Sequence, residues 1–297
     1  MPTMIEISQL QKCYGNKQVL KGIDLRVSQG DFYGFIGPNG AGKSTTIKIL
    51  LGLVSKTGGH ARICDIPVGP SKLEILENIA YLPSEVNLYP NLTVKEILDV
   101  SQSLSRSQQD NERTRLVEVF RLDLDKKIKE LSLGNRKKVG IVLMLMKDAA
   151  LYIMDEPTSG LDPLMQQIFW DEVQAKHAQG KTIFVSSHIL SEVQRYCNKA
   201  AFIKNGSIIL TQDLNETTIE NIKKVRLDGI FQMTQEKGMS HISQDEFGTS
   251  FHYQGDISCL LRLIDKYREK ISDVHIQNLD IENVFMHYYQ DAEGDIS

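Results

Sequence analysis

Gly37-Pro38-Asn39-Gly40-Ala41-Gly42-Lys43-Ser44, with Thr45 after it, has the form G-x-x-x-x-G-K-S. Asp31-Phe32-Tyr33-Gly34-Phe35-Ile36 runs into it as a short apolar and aromatic segment that reads as a buried strand. Thr45 to Leu51 leaves it as the first turns of a helix. Strand, glycine loop and helix, in that order, are what this pattern requires. Glycine lets the backbone curl until its N–H groups converge on phosphate oxygens. The helix start adds roughly half an elementary positive charge. Gly37, Pro38, Asn39, Gly40, Ala41, Gly42, Lys43, Ser44 and Thr45 are therefore the candidate phosphate cradle. Lys43 is expected to reach the outer phosphates and the Ser44 hydroxyl to bind Mg²⁺.

Outward from this loop, strands and helices alternate. Leu151–Met154 and Thr182–Ser186 read as buried strands. Asn135–Lys147, Gln166–Ala178 and Leu190–Tyr196 read as helices. That alternation argues for a parallel sheet covered on both faces. Met4–Ile7 and Val19–Val27 read as antiparallel strands around a turn at Tyr14–Lys17, and Gly58-Gly59 reads as a turn before Ala61–Ile63. Glu85–Lys129 has helical spacing, interrupted by a polar, serine-rich loop at 101–111. The pattern changes after about Asn215. Strands at 225–231 and 250–253 and helices at 257–267 and 280–289 predict a small accessory α/β domain over 216–297.

The chain has 297 residues, 41% of them apolar and 24% charged, the composition of ordinary globular material. A net charge of -4 offers no basic field, so no nucleic-acid partner is expected. Arg136-Lys137-Lys138 reads as a solvated helix turn. The four cysteines, Cys13, Cys64, Cys197 and Cys259, are too widely spaced for a zinc or redox site and predict free thiols. The apolar runs Val139–Met146 and Ala149–Met154 fall well short of the ~20 residues a membrane span needs, so any membrane role is expected to come through a partner.

Three further segments carry chemistry. The strand Leu151–Met154 ends in Asp155-Glu156. An acid at such a strand end can hold Mg²⁺, and the next carboxylate can take a proton from an attacking water. The alternative is a strand running into an acidic surface loop. His188 follows the strand ending at Ser186-Ser187 and could meet a γ-phosphate, although a lone histidine is commonly structural. Ser132, in Leu131-Ser132-Leu133-Gly134-Asn135, reads as a helix cap that could also offer its hydroxyl and free N–H groups to an anion. Ser159-Gly160-Leu161-Asp162 is in isolation an ordinary turn.

Taken together over residues 4–215, these segments resemble, in order and spacing, the ATP-binding subunit of ATP-binding-cassette (ABC) transporters. The resemblance implies a P-loop NTPase cassette of α/β class: a mixed central sheet, an antiparallel β subdomain and a helical subdomain at about 85–135, forming an ATP-binding domain over 1–215. It implies ATP and Mg²⁺ as ligands and ATP hydrolysis as the activity. By the same resemblance Tyr14 is the residue that stacks on adenine. Asp155 is the Mg²⁺-site acid, Glu156 the general base and His188 the switch histidine. Ser132 and Gly134 belong to the signature loop, and Asp162 reaches towards the opposite subunit. Expected partners are a second ATP-binding subunit, identical or related, and an integral membrane permease docking near Tyr89 and Val94. The expected location is the cytoplasmic face of the membrane, held there by the permease.

The chain departs from the family pattern at two places. Leu133 and Asn135 replace a glycine and a glutamine of the usual Leu-Ser-Gly-Gly-Gln, and Ser84 replaces the glutamine that usually follows Tyr-Leu-Pro, here Tyr81-Leu82-Pro83. Ser84 is thereby a Mg²⁺-site candidate on a shorter side chain, needing a bridging water. The segment Leu279–Phe285 resembles a C-terminal stretch of exporters of antibiotics, peptides or lipids whose permease is a separate chain. Rival readings are a soluble ABC ATPase outside transport, a P-loop kinase, and a regulatory nucleotide-binding module of low turnover.

Overall fold

The computed structural model describes residues 2–69, 73–104, 110–214, 222–229, 233–234 and 236–278. The chain divides into two compact units, Met1–Leu214 and Asn215–Ser297.

The first unit opens with a long hairpin, β1 (Thr3–Tyr14) and β2 (Lys17–Ser28), followed by the short β3 (Phe32–Ile36) and α1 (Lys43–Leu50). Next come β4 (Gly58–Ile63), β5 (Ile66–Pro67), α2 (Leu73–Glu77), β6 (Ile79–Leu82), α3 (Val94–Leu104), α4 (Asp110–Val119) and α5 (Leu133–Leu145). The rest is β7 (Leu151–Asp155), α6 (Pro163–Ala178), β8 (Thr182–Ser187), α7 (Leu190–Tyr196), β9 (Lys199–Lys204) and β10 (Ser207–Asp213).

The strands form two sheets. One is antiparallel, in the order β2-β1-β4-β5; the other has six strands, in the order β10-β9-β3-β8-β7-β6. In the second, β9, β3, β8, β7 and β6 are parallel and β10 is an antiparallel edge. The parallel strands β3, β7 and β8 are buried along their whole length. This explains why they read as continuous apolar runs rather than alternating ones. The side chains of Tyr33, Phe35, Ile153 and Phe184 share one core with Ile47 and Leu50 of α1.

Register is what builds a site. Asp155 at the end of β7 lies opposite Ser186, and Phe35 and Ile36 of β3 lie opposite Ser186 and Ser187. The carboxyl ends of β3, β8 and β7 therefore open side by side, where ligands of parallel sheets bind.

Three local expectations are corrected. Gly58-Gly59 is not a turn but the start of β4. The pairing of β1 with β4 shifts between Ser8 and Gln11, and Gln9 is left-handed at φ 47. A methyl on Gly59 would lie 2.0 Å from the Gln9 carbonyl. The glycine thus marks a bulge with close backbone approach, which is its other use in strands. The serine-rich loop at 101–111 gives way to helix at both ends, since α3 runs on to Leu104 and α4 starts at Asp110. The helical spacing read from Glu85 begins in fact at Val94, and Val94, Ile97 and Leu98 bury one face of α3.

In the second unit, β11 (Ile222–Asp228), β12 (Met239–Gln244), β13 (Gly248–Gln254), α8 (Ile257–Asp265) and β14 (Asp273–Asn278) form an antiparallel sheet, order β12-β13-β11-β14, and one helix. Leu260 and Leu263 of α8 pack on Val225, Leu227, Phe251 and Tyr253. The polar strands β12 and β14 went unread because neither carries enough apolar residues. The expected helix at 280–289 and the segment Leu279–Phe285 lie outside the described residues. Cys13, Cys64, Cys197 and Cys259 are free thiols, and among the described residues no helix is long and apolar enough to cross a membrane.

Candidate functional site

The glycine loop turns directly out of β3. Gly40 and Gly42 sit at φ 80 and 113, left-handed values that glycine adopts without strain. Gly37 is required for a different reason: a methyl there would lie 2.3 Å from the Ile203 carbonyl. Gly37 also donates its N–H to the Ser187 carbonyl at 3.3 Å, which ties the loop to the end of β8. Ala41 is buried, Pro38, Ser44 and Thr45 are half-buried, and Asn39 and Gly40 are exposed.

Lys43 is buried, with 4% of its surface exposed. Its ammonium donates to the carbonyls of Gly37 at 2.6 Å and Pro38 at 3.1 Å. It also pairs with the Glu156 carboxylate at 3.3 Å. The other Glu156 oxygen lies 3.4 Å from Nδ1 of His188. Three residues far apart in sequence thus meet at one carboxylate.

Asp155 is buried, and its Oδ1 accepts from the Ser186 hydroxyl at 2.5 Å. Its Oδ2 is buried without a hydrogen-bond partner. An orphaned buried carboxylate oxygen is costly and suits a hard cation.

Glu156 itself has a left-handed backbone, φ 46, unusual for a residue with a Cβ. It is held on both sides. Its N–H donates to the Ser186 carbonyl at 3.1 Å and lies 3.2 Å from the Ser186 hydroxyl. Its carbonyl accepts from the Lys137 ammonium at 3.1 Å.

Lys137 overturns the reading of Arg136-Lys137-Lys138 as a solvated turn. It is 4% exposed, and its ammonium also donates to the carbonyls of Pro83 and Ser84, both at 3.0 Å. Burial pushes its pKa down to about 8, against the pull of the Asp155 and Glu156 charges. The missed signal is periodicity. Lys137, Gly140, Ile141 and Met144 recur at helical spacing on the buried stripe of α5, so Lys137 occupies a core position. Ser186 was also read only as part of a strand.

Ser132 caps α5, its hydroxyl accepting from the Asn135 N–H at 3.3 Å. Gly134 follows in the first turn, and Leu133 beside it is 79% exposed. Asp162 caps α6, accepting from the Met165 N–H at 3.0 Å. Tyr14, at the end of β1, is 47% exposed with the Lys12 ammonium 4.6 Å from its ring centre. Ser84 is exposed and joins this group through its carbonyl, by way of Lys137. In the region expected to meet a permease, Tyr89 is exposed, whereas Val94 is buried in α3 and lends that region no surface of its own.

Known proteins resemble this chain in sequence and fold. A family model described as ABC transporter matches residues 20–159. The Nod factor export ATP-binding protein I of Paraburkholderia xenovorans (strain LB400) is 34% identical over 68% of this chain and 68% of its own length. The lantibiotic transport ATP-binding protein SrtF of Streptococcus pyogenes is 36% identical over 75% of this chain and 95% of its own. A solved structure of an ATP-binding subunit of an ABC transporter superposes with a TM-score of 0.66 at 32% identity, covering 72% of this chain and 91% of that one. The chain accordingly belongs to the ATP-binding subunits of ABC transporters, a family of ATPases with the P-loop cassette fold.

Proposed function

We propose that this chain hydrolyses MgATP at the Lys43–Glu156–His188 group and so drives export through a separate membrane permease. One observation carries the reading: the carboxylate of Glu156 is met by Lys43 on one oxygen and His188 on the other, at the common carboxyl edge of β3, β8 and β7. Lys43 donates to the carbonyls of Gly37 and Pro38 and pairs with Glu156. A triphosphate seated on the N–H groups of Gly40 and Gly42–Thr45 competes for Lys43 and frees Glu156 to take a proton from water. His188 then faces the γ-phosphate.

Asp155, through its unpaired Oδ2, and Ser44, through its hydroxyl, are the residues that would hold Mg²⁺, with Ser84 a third candidate. The ion supplies charge neutralisation for the phosphates. Tyr14 stacks on the adenine. Residues 1–215 form the ATP-binding domain, with its helical subdomain at about 85–135, and 216–297 the accessory domain.

Two such subunits would close head to tail, each covering its partner's nucleotide with Ser132, Gly134 and Asp162. Moving the pair from mostly open to mostly closed needs about 5 kcal/mol of differential binding. Several charge-assisted hydrogen bonds to the γ-phosphate, at roughly 1.5–3 kcal/mol each, supply it. An apolar groove lined by Leu51, Leu53, Leu76, Met144 and Tyr81, the last on β6, the strand leading to Ser84, offers a seat for a permease helix at the cytoplasmic face of the membrane. The names of the two relatives above, one of Nod factor export and one of lantibiotic transport, support an antibiotic, peptide or lipid cargo.

Glu156→Gln tests the reading. It keeps the shape and removes the base, so nucleotide binding is retained, turnover falls by about 10²–10⁴-fold and an ATP-bound dimer accumulates on size exclusion. Turnover equal to that of the parent would remove Glu156 from the mechanism.

A further inference from the structure

Lys137 uses all three of its N–H donors on backbone carbonyls, those of Pro83, Ser84 and Glu156. No carboxylate lies among these acceptors, so the ammonium acts as a buried three-way pin rather than as one half of an ion pair. The three carbonyls belong to two separate elements. Pro83 and Ser84 follow β6, the edge strand of the six-stranded sheet, and Glu156 follows β7 beside it. Lys137 comes from a third element, α5, five residues beyond the cap at Ser132.

The backbone of Glu156 needs such a pin. At φ 46 it sits in a region that side-chain-bearing residues rarely adopt. Its N–H is anchored to Ser186 and its carbonyl to Lys137. These anchors aim the side chain at Lys43 and His188. Releasing the carbonyl lets the peptide rotate and the carboxylate swing away, with the nucleotide loop untouched.

We infer that Lys137 is a positioning residue for ATP hydrolysis, which locks the aim of Glu156 to the loop at Pro83–Ser84 and to the start of α5. A shift of that loop is therefore passed to Glu156 through a backbone route that does not involve the short side chain of Ser84. This rests on Glu156 being the base.

The test uses the purified full chain with MgATP. Lys137→Met keeps the length and apolar stem and removes every donor. The expected result is a fall in kcat of about tenfold or more, since a misplacement of the order of an ångström is that costly, with the dissociation constant for MgATP within about twofold of the parent. Lys137→Gln restores two donors on a neutral group and is expected to lose only about threefold in kcat. Adding Lys137→Met to Glu156→Gln should cost nothing further in single turnover, because both changes act on one group. A folded Lys137→Met with the parent's kcat overturns the inference, as does a loss of nucleotide affinity in proportion to kcat. Should Lys137→Met fail to fold, Lys137→Gln decides, and an unchanged kcat there overturns the inference equally. Normal turnover in Glu156→Gln alone would instead remove the base itself, a separate failure.

Discussion

Gly134 backs onto Gly160: a methyl on Gly134 would lie 2.7 Å from the Gly160 carbonyl oxygen. The start of α5, with its cap Ser132, and the turn leading to the α6 cap, Asp162, are therefore in contact within one chain. Helix propensity alone would favour alanine at position 134 by about 1 kcal/mol. The steric term wins, because a backbone oxygen cannot turn aside as a side chain can. Gly134→Ala should lower ATPase activity by about tenfold or more through displacement of the turn. A variant that is both more stable in thermal melting and fully active would show that the turn yields freely.

Tyr14 presents an exposed ring at the end of β1. Stacking on a base is worth ~1–3 kcal/mol, so Tyr14→Ala should weaken ATP binding by about 5- to 150-fold in calorimetry, and Tyr14→Trp should keep it. Inorganic triphosphate, which has no base, should bind parent and variant alike. An equal loss for both ligands would place Tyr14 in the phosphate site instead.

At Gly34, in the middle of β3, a methyl would lie 2.3 Å from Val193 Cγ1 of α7 and 3.3 Å from the Cys197 sulfur. Overpacking of this kind costs typically 1–3 kcal/mol. Gly34→Ala should lower the unfolding free energy of the first unit by about that much, and Val193→Ala in the same chain should recover part of the loss. Trp170, the chain's single tryptophan, stacks on Tyr196 of α7 at 4.5 Å, so its fluorescence during urea unfolding reads this packing directly.

Asp245, in the second unit, is held at a pKa of about 2 by the Arg226 guanidinium and then by the N–H groups of Phe247 and Gly248. Its ordinary value is 3.8, so the folded pKa is the lower one. The stabilisation it brings is present above that ordinary value and is lost as pH falls through the folded one. Because the carboxylate is exposed, salt should weaken the effect. NMR titration of the Asp245 carboxyl should report the low value in the parent and a shift back towards the ordinary one in Arg226→Met. An unmoved titration would mean that the loop N–H groups suffice without Arg226.

The segments that carry the chemistry were legible because each is contiguous. The glycine loop, the apolar strands β3, β7 and β8, and α7 at Leu190–Tyr196 announce themselves by spacing and by residues with special backbone freedom. The resemblance supplied roles that spacing could not, such as Tyr14 and Asp162. What escaped was set by distant neighbours. Gly58-Gly59 reads as a turn until Gln9 is seen pressing on Gly59 from the adjacent strand. Lys137 reads as solvent-facing until its partners at sequence separations of 54, 53 and 19 are in place.

Composition and local pattern by themselves determined that this chain makes a phosphate-binding loop between a strand and a helix, and an acid pair at the end of another strand. Such features depend on backbone freedom and side-chain periodicity over a few residues. Only the tertiary structure decided that β3, β8 and β7 lie side by side, that Lys43, Glu156 and His188 meet, and that a buried ammonium pins Glu156 to the Ser84 loop. Strand order and burial are properties of the whole packed chain, and a lysine carries the same chemistry in solvent or core until that packing assigns its place.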